Sequence, residues 1–185
     1  CLGANGPFHY KKTRQGNHII DKVSANVLKN SGFEHIIHDF FLPGSDERQY
    51  SSPGFNLPTS ALMHSYYSVP KYHSSEDNLE NVSAKNLEES FSIICNIIEG
   101  IEANYAYKTT IPYGEPFLSK YGLCGTVGAK TDLMEQRKKI MYLTNFSDGE
   151  HSLIDICEKG NFEFLSLAEV AKLLEEKKLL VKMEN

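Results

Sequence analysis

Two short stretches of this chain hold residues whose types and spacing suit chemistry. The first is Lys71-Tyr72-His73-Ser74-Ser75-Glu76-Asp77-Asn78. A metal-binding imidazole needs a carboxylate or carbonyl to fix its other ring nitrogen, and Glu76 and Asp77 are close enough in sequence to serve. The plain alternative is a histidine in a surface loop with no task. The second is Asp46-Glu47, with Arg48 and Tyr50 beside it. Adjacent carboxylates can hold a metal, orient a ligand or grip a substrate amine. The same residues also read as a helix start, with Ser45 as N-cap and two acids in the first turn. Sequence logic favours that reading, and both can hold where a capped helix start faces a pocket. Of the other histidines, His9 could reach an anion and His64 could line a cleft. His35 and His38 point to opposite faces of a strand, and His18 and His151 read as solvated. Cys95 and Cys157 read as small core residues. GxSxG, HExxH, P-loop and dinucleotide fingerprints are missing, which removes several enzyme classes for this segment.

Both stretches fall within residues 43–82, a run rich in Pro, Gly, Ser and Asn, so the flanking elements must position them. Residues 3–17 read as a punctuated loop with a basic patch, Lys11, Lys12 and Arg14. Ile19, Ile20, Val23, Val27 and Leu28 set a helical period that Asn30-Ser31-Gly32 stops. His35 to Phe41 reads as a buried strand and Leu57 to Met63 as another. Ser83 caps a further helix with Leu87, Phe91, Ile94, Ile98 and Ile101 on one face. Helix, strand, loop, strand, loop, helix is the order expected of the last part of an open mixed or parallel α/β sheet, where ligands bind beyond the strand ends.

Past Tyr105 the texture changes. Residues 107–127 read as a linker or short hairpin. Three helical periods follow, marked by Leu133, Ile140 and Leu143, by Leu153, Ile154 and Ile156, and by Leu167, Val170 and Leu174. With the strand Leu179-Leu180-Val181 they describe a small α+β winged-helix domain. The expected division is thus 1–106, 107–127 and 128–185.

Composition narrows the classes. The 185 residues are 41% hydrophobic and 23% charged, with net charge -5, which is ordinary globular make-up and a poor match to polyanions. Apolar runs are too short to span a bilayer. Four scattered cysteines suggest a reduced, cytoplasmic setting. The opening Cys1-Leu2-Gly3 lacks an initiator Met and leads into a turn, so a fragment is expected.

Taken together, Gly44-Ser45-Asp46, Gly54-Phe55-Asn56-Leu57-Pro58 and Tyr72-His73-Ser74 with Asp77-Asn78 resemble the carboxy-terminal motifs of zinc-dependent aminopeptidases. GSDERQYSSPGFNLP, YHSSEDNLENV and NFSDGEHSLIDI look closer still to a bacterial aminopeptidase-like branch with a C-terminal winged helix, often associated with polysaccharide-biosynthesis loci. The resemblance implies the last part of a zinc-peptidase-like fold that hydrolyses a peptide or amide bond with metal-activated water. His73 is the one metal ligand it carries over. Asp46, Glu47, Arg48, Tyr50 and Tyr72 would line the substrate pocket. The remaining zinc ligands and the general-base Glu would lie upstream of Cys1, leaving the catalytic residues unassigned in this chain. Two departures stand out. Glu47 replaces a His after the GSD aspartate, and Cys1-Leu2-Gly3 offers no Asp, which favours a single zinc.

A winged helix also invites a nucleic-acid reading. From Gly125 to Asn185, however, nine Lys and Arg face eleven Asp and Glu, and DNA readers need a basic face. Packing against the peptidase-like domain or homo-oligomerisation fits this balance better. The competing function is a non-catalytic protein that keeps the fold and uses the winged helix to bind a partner or nucleic acid.

Overall fold

The element that organises the first half is a four-residue strand, β1 (Phe8–Lys11), every residue of which is buried. Phe8 and Tyr10 face one way, His9 and Lys11 the other. The computed structural model describes residues 1–65, 71–123 and 130–183; Cys124 and residues 66–70, which precede the Lys71-to-Asn78 stretch, lie outside them. β1 is flanked by β2 (His35–His38), parallel, and β3 (Ala61–Met63), antiparallel, in the order β2-β1-β3. The chain divides into two units, Cys1–Ile101 and Glu102–Asn185.

Helix α1 (Ile19–Asn30) packs Val23, Val27 and Leu28 inward. Its start is held by Asp21, which is buried yet fully engaged. One carboxylate oxygen accepts from the Tyr10 hydroxyl at 3.0 Å and the Thr13 amide at 2.8 Å. The other accepts from the Thr13 hydroxyl at 2.5 Å and the His18 amide at 3.0 Å. His18 is the N-cap, its Nδ1 accepting from the Ile20 amide, and so is not merely solvated. Burial, followed by weaker effects that include the Asp21 charge, drives the Tyr10 hydroxyl pKa upward.

Four expectations change here. The opening loop contains the central strand, whose alternating Phe-His-Tyr-Lys pattern is a period-2 signal between Gly6-Pro7 and Thr13. Lys11 belongs to no surface patch, because it is buried. The strand expected over 35–41 is only His35–His38, and Ile36 and Ile37 are exposed rather than buried. The strand expected over 57–63 shortens to Ala61–Met63 because Pro58 and its neighbours carry no ladder bonds.

Helix α3 (Ala84–Glu102) receives the start of the chain. The Ser83 amide donates to the Gly3 carbonyl at 2.9 Å, Asn86 Nδ2 to the Ala4 carbonyl at 2.9 Å, and Ser90 Oγ to the Leu2 carbonyl at 2.7 Å. Asn86 and Ser90 stand four apart, so one helix face holds the 2–5 segment. Gly3 is needed for this approach: a Cβ there would lie 2.7 Å from Val82 Cγ1.

In the second unit β4 (Ala106–Thr109) is the middle of a sheet ordered β5-β4-β6, with β5 Asp148–Ser152 and β6 Leu180–Lys182. Residues 107–109, expected in a linker or short hairpin, belong to a strand paired with β5 and β6. Helices α4 (Lys130–Phe146), α5 (Leu153–Gly160) and α6 (Phe164–Glu176) bury Ile140, Leu143, Ile154, Ile156, Phe164, Leu167 and Leu174. Asn161 closes α5 in the left-handed region, φ +53°. β4 pairs antiparallel with β6, and all three helices lie between them in the chain. That pair is therefore closed by the helical bundle and not by a hairpin tip.

Replacing Asp21 with Ala strands four donors in a buried site, so urea denaturation should show the first unit losing on the order of 3 kcal/mol. Retention of wild-type stability would mean that α1 docks without this anchor.

Candidate functional site

The polar face of β1 meets the loop that begins at Pro43. Lys11 Nζ donates to Glu47 Oε1 at 2.8 Å, with side-chain exposures of 0% and 5%. The ammonium also reaches the Pro43 carbonyl at 3.4 Å and lies 4.1 Å from the Phe41 ring centroid. From the other side, the Ser45 amide contacts both Glu47 carboxylate oxygens at 3.2 Å. Gly44 sits in this cradle, where a Cβ would fall 2.2 Å from Glu47 Oε1 and 2.6 Å from Lys11 Nζ. Any larger residue at 44 must displace the ion pair.

These contacts set the ionisation of Glu47. Burial alone pushes its carboxyl up, but the Lys11 hydrogen bond, the backbone amides of Glu47 and Ser45 and the Lys11 charge together win, and the pKa is lowered. Glu47 is thus an ionised structural anchor. It opens α2 (Asp46–Tyr50), where Ser45 occupies the N-cap position without a side-chain cap bond. The expected hydroxyl cap is replaced by the reverse contact, backbone amide to Glu47. Asp46, Arg48 and Tyr50 are exposed on the same short helix. Of the five residues expected to line a pocket, the described structure takes Glu47 out of the solvent-facing set. It leaves Asp46, Arg48, Tyr50 and Tyr72 facing solvent.

The second loop is built from nested turns. The Ser74 amide and Oγ both donate to the Lys71 carbonyl, at 3.1 and 2.7 Å, and Ser74 Oγ accepts from the Glu76 amide at 3.2 Å. Asn81 Nδ2 closes onto the Glu76 carbonyl at 2.7 Å, and Asn78 caps the 3-10 turn Leu79–Asn81. His73 stands in the left-handed region at φ +62°, a conformation uncommon for a residue with a Cβ. Its ring stacks on Tyr72 at 4.0 Å and 21° and is exposed. Among the described residues no three His, Cys, Asp or Glu side chains come together as a metal site. One exposed imidazole does not make a zinc centre, which takes about three protein ligands.

Two histidine arrangements escaped the sequence reading. His9 Nδ1 and His38 Nε2 lie 2.9 Å apart with rings nearly parallel, so His9 neighbours another imidazole. Burial first, and then the His38 charge, lower its pKa. His64 is buried, with Nε2 3.2 Å from Glu89 Oε2 and its ring 4.2 Å from that of Phe8. Its Nδ1 has no hydrogen-bond partner among the described residues. Both arrangements depend on strand register, which no local pattern in the sequence announces.

A separate groove of about 630 Å³ lies within the second unit, lined by Phe117, Leu118, Met134, Arg137 and Met141 among others. Among the described residues that line it, no cluster of groups suits hydrolysis.

Comparison with known proteins places these elements. Residues 1–104 match the family described as a domain of unknown function, DUF4910. The chain belongs to this family. Residues 105–182 match a winged helix-turn-helix family. A Clostridium acetobutylicum protein provisionally named a polysaccharide biosynthesis protein with an aminopeptidase-like domain is 39% identical over 180 residues, 97% of this chain and 42% of that protein. A crystal structure from the same organism, provisionally named a peptidase, matches with TM-score 0.89 and 37% identity over 99% of this chain and 40% of that one. The chain thus spans about two fifths of the length of these relatives. No described helix is long and apolar enough to cross a membrane.

The Lys11–Glu47 pair makes a two-part prediction. Lys11→Met leaves a buried carboxylate unpaired and should cost about 3–5 kcal/mol, while the double change Lys11→Met/Glu47→Leu should recover much of it. Because the folded pKa of Glu47 is lowered, its contribution is present above the unfolded value near 4.5 and is lost as pH falls below it. Urea denaturation between pH 7 and pH 3 should therefore show a shallower acid decline in Glu47→Gln than in the wild type.

Proposed function

We propose that this chain forms the part of an aminopeptidase-like hydrolase that carries the wall of the substrate pocket and one metal ligand. The substrate class is a peptide or amide. His73 is the observation that carries the reading. An exposed imidazole is held in the left-handed region, in a loop tied by short-range hydrogen bonds. Unusual backbone that the surrounding loop holds in place is a feature of ligand-binding positions. Zinc bound at such a site supplies a polarised carbonyl and water acidified toward neutral pH. His73 would be the one donor this chain contributes, and a single centre is the preferred stoichiometry.

The chain's own residues have distinct tasks in this reading. Lys11 and Glu47 fix the 43–50 loop without meeting substrate. Asp46, Arg48 and Tyr50, held on the outer surface of α2, face the substrate, and the Asp46 carboxylate is placed to pair with an amine. Tyr72 stacks on His73 and limits its ring orientation. The winged-helix unit is read as a packing or self-association element, in keeping with its excess of acids.

Zinc analysis and aminoacyl-amide turnover test this. The 185-residue chain alone should purify without stoichiometric zinc and without turnover. In a form that also contains the remainder present in the longer relatives, zinc and turnover should appear. There, His73→Ala should lower turnover by more than about 100-fold, since even outer-shell changes cost 10–100-fold, and thermal stability should not move. Stoichiometric zinc in the isolated chain that survives His73→Ala would sink the assignment.

A further inference from the structure

Helix α3 carries two apolar or anchoring stripes of the same period. Asn86, Ser90, Ile93, Ile97 and Gly100 are buried within the first unit. Leu87, Phe91, Ile94, Ile98 and Ile101 form a second stripe, about 21 Å long at 1.5 Å per residue. Leu87, Phe91 and Ile98 are 47%, 69% and 50% exposed. The two stripes are offset by one residue, about 100° around the axis, so together they give α3 an apolar arc wider than its single packed side covers.

Strand β2 shows the same mismatch. Ile36 and Ile37 point to opposite faces of the sheet, and they are 45% and 37% exposed. A parallel strand that is apolar on both faces is characteristic of a sheet covered on both sides. Among the described residues β2 pairs with β1 alone, so its other edge is open. Lys, Pro and bulges, the usual protections of an edge, are missing from His35–His38.

We propose that the outer stripe of α3 and the open edge of β2 are interior surfaces that dock an α/β polypeptide. This polypeptide would add a strand to β2 and lay an apolar surface along Leu87, Phe91, Ile94, Ile98 and Ile101. The occupant is the polypeptide equivalent to the unmatched remainder of the longer relatives. Nearly all of this chain matches only 42% of one relative and 40% of the other, with the fold retained at TM-score 0.89. The remainder is larger than the chain itself, enough to cover both surfaces. A second copy of this chain is the competing occupant. It would have to satisfy β2 by pairing with its own copy while the two α3 stripes also met. The inference does not depend on hydrolysis, so it can stand or fall separately from the proposed function.

Co-expression of the 185-residue chain with the unmatched remainder of the Clostridium acetobutylicum relative tests it. Sedimentation should show a one-to-one complex, and amide exchange at residues 35–38 should slow in that complex. Phe91→Asp/Ile98→Asp should weaken association by at least about 100-fold, as expected for truncating central anchors. The melting of the isolated chain should change little, because Phe91 and Ile98 are at least half exposed in it. Absence of a complex, or a complex indifferent to the double substitution, would overturn the proposal. So would a homodimer of the isolated chain that the same double substitution abolishes, since it would assign the surface to a second copy.

Discussion

The buried Lys11–Glu47 pair is the constraint on which the first unit depends. Its partners come from the central strand and from the helix start 36 residues later. A buried ion pair is seldom a net source of stability, because desolvation of both charges offsets their attraction. What it supplies is position. With Lys11 fully buried, the loop from Pro43 can close only where the Glu47 carboxylate meets the ammonium and the Ser45 amide meets the carboxylate. Gly44 completes the constraint by leaving no room for a side chain in the cradle. A hydrophobic pair would fill the space, but it would not fix the direction in which α2 presents Asp46, Arg48 and Tyr50.

This explains how much the sequence could disclose. The helix α1, the capped helix after Ser83 and the three-helix pattern of the second unit were legible, since each rests on a local period of apolar residues. β1 was not recognised, although Phe8-His9-Tyr10-Lys11 alternates as a strand should. Its flanking glycines and lysines suggested a solvated loop, and only burial on both faces by tertiary neighbours reverses that reading. Glu47 was legible as a helix-start acid, and so it is, but its burial depends on a lysine 36 residues away. The His9–His38 contact is likewise a product of parallel register between β1 and β2 and cannot be inferred from spacing.

Helix α3 presents the reverse case. The face picked out by its period, Leu87 to Ile101, is real as a pattern, but Leu87, Phe91 and Ile98 on it are exposed here. The face that packs is the less apolar one, where Asn86 and Ser90 hold the backbone of residues 2–5. Hydrogen bonds to an unpaired backbone segment can outcompete apolar burial for one face, since buried carbonyls without donors are costly. A single period in a sequence does not say which of two neighbouring stripes will be used.

The two candidate loops differ in kind, and the difference bears on function. The 43–50 loop is fixed from beneath by a buried charge pair, so substitutions on its outer face should alter what it contacts without altering where it sits. Among the described residues the 71–78 loop is held by short-range bonds, and every residue in it is exposed. Such a loop keeps its internal shape but takes its placement from whatever binds it. If His73 ligates a metal, the metal and its other donors must complete the positioning that Lys11 and Glu47 provide for the first loop. The rigid wall would then select the substrate, and the imidazole would be brought to its working geometry only when the remaining donors are present. On that reading the first loop is set in advance by a buried pair, and the second is set by its ligand.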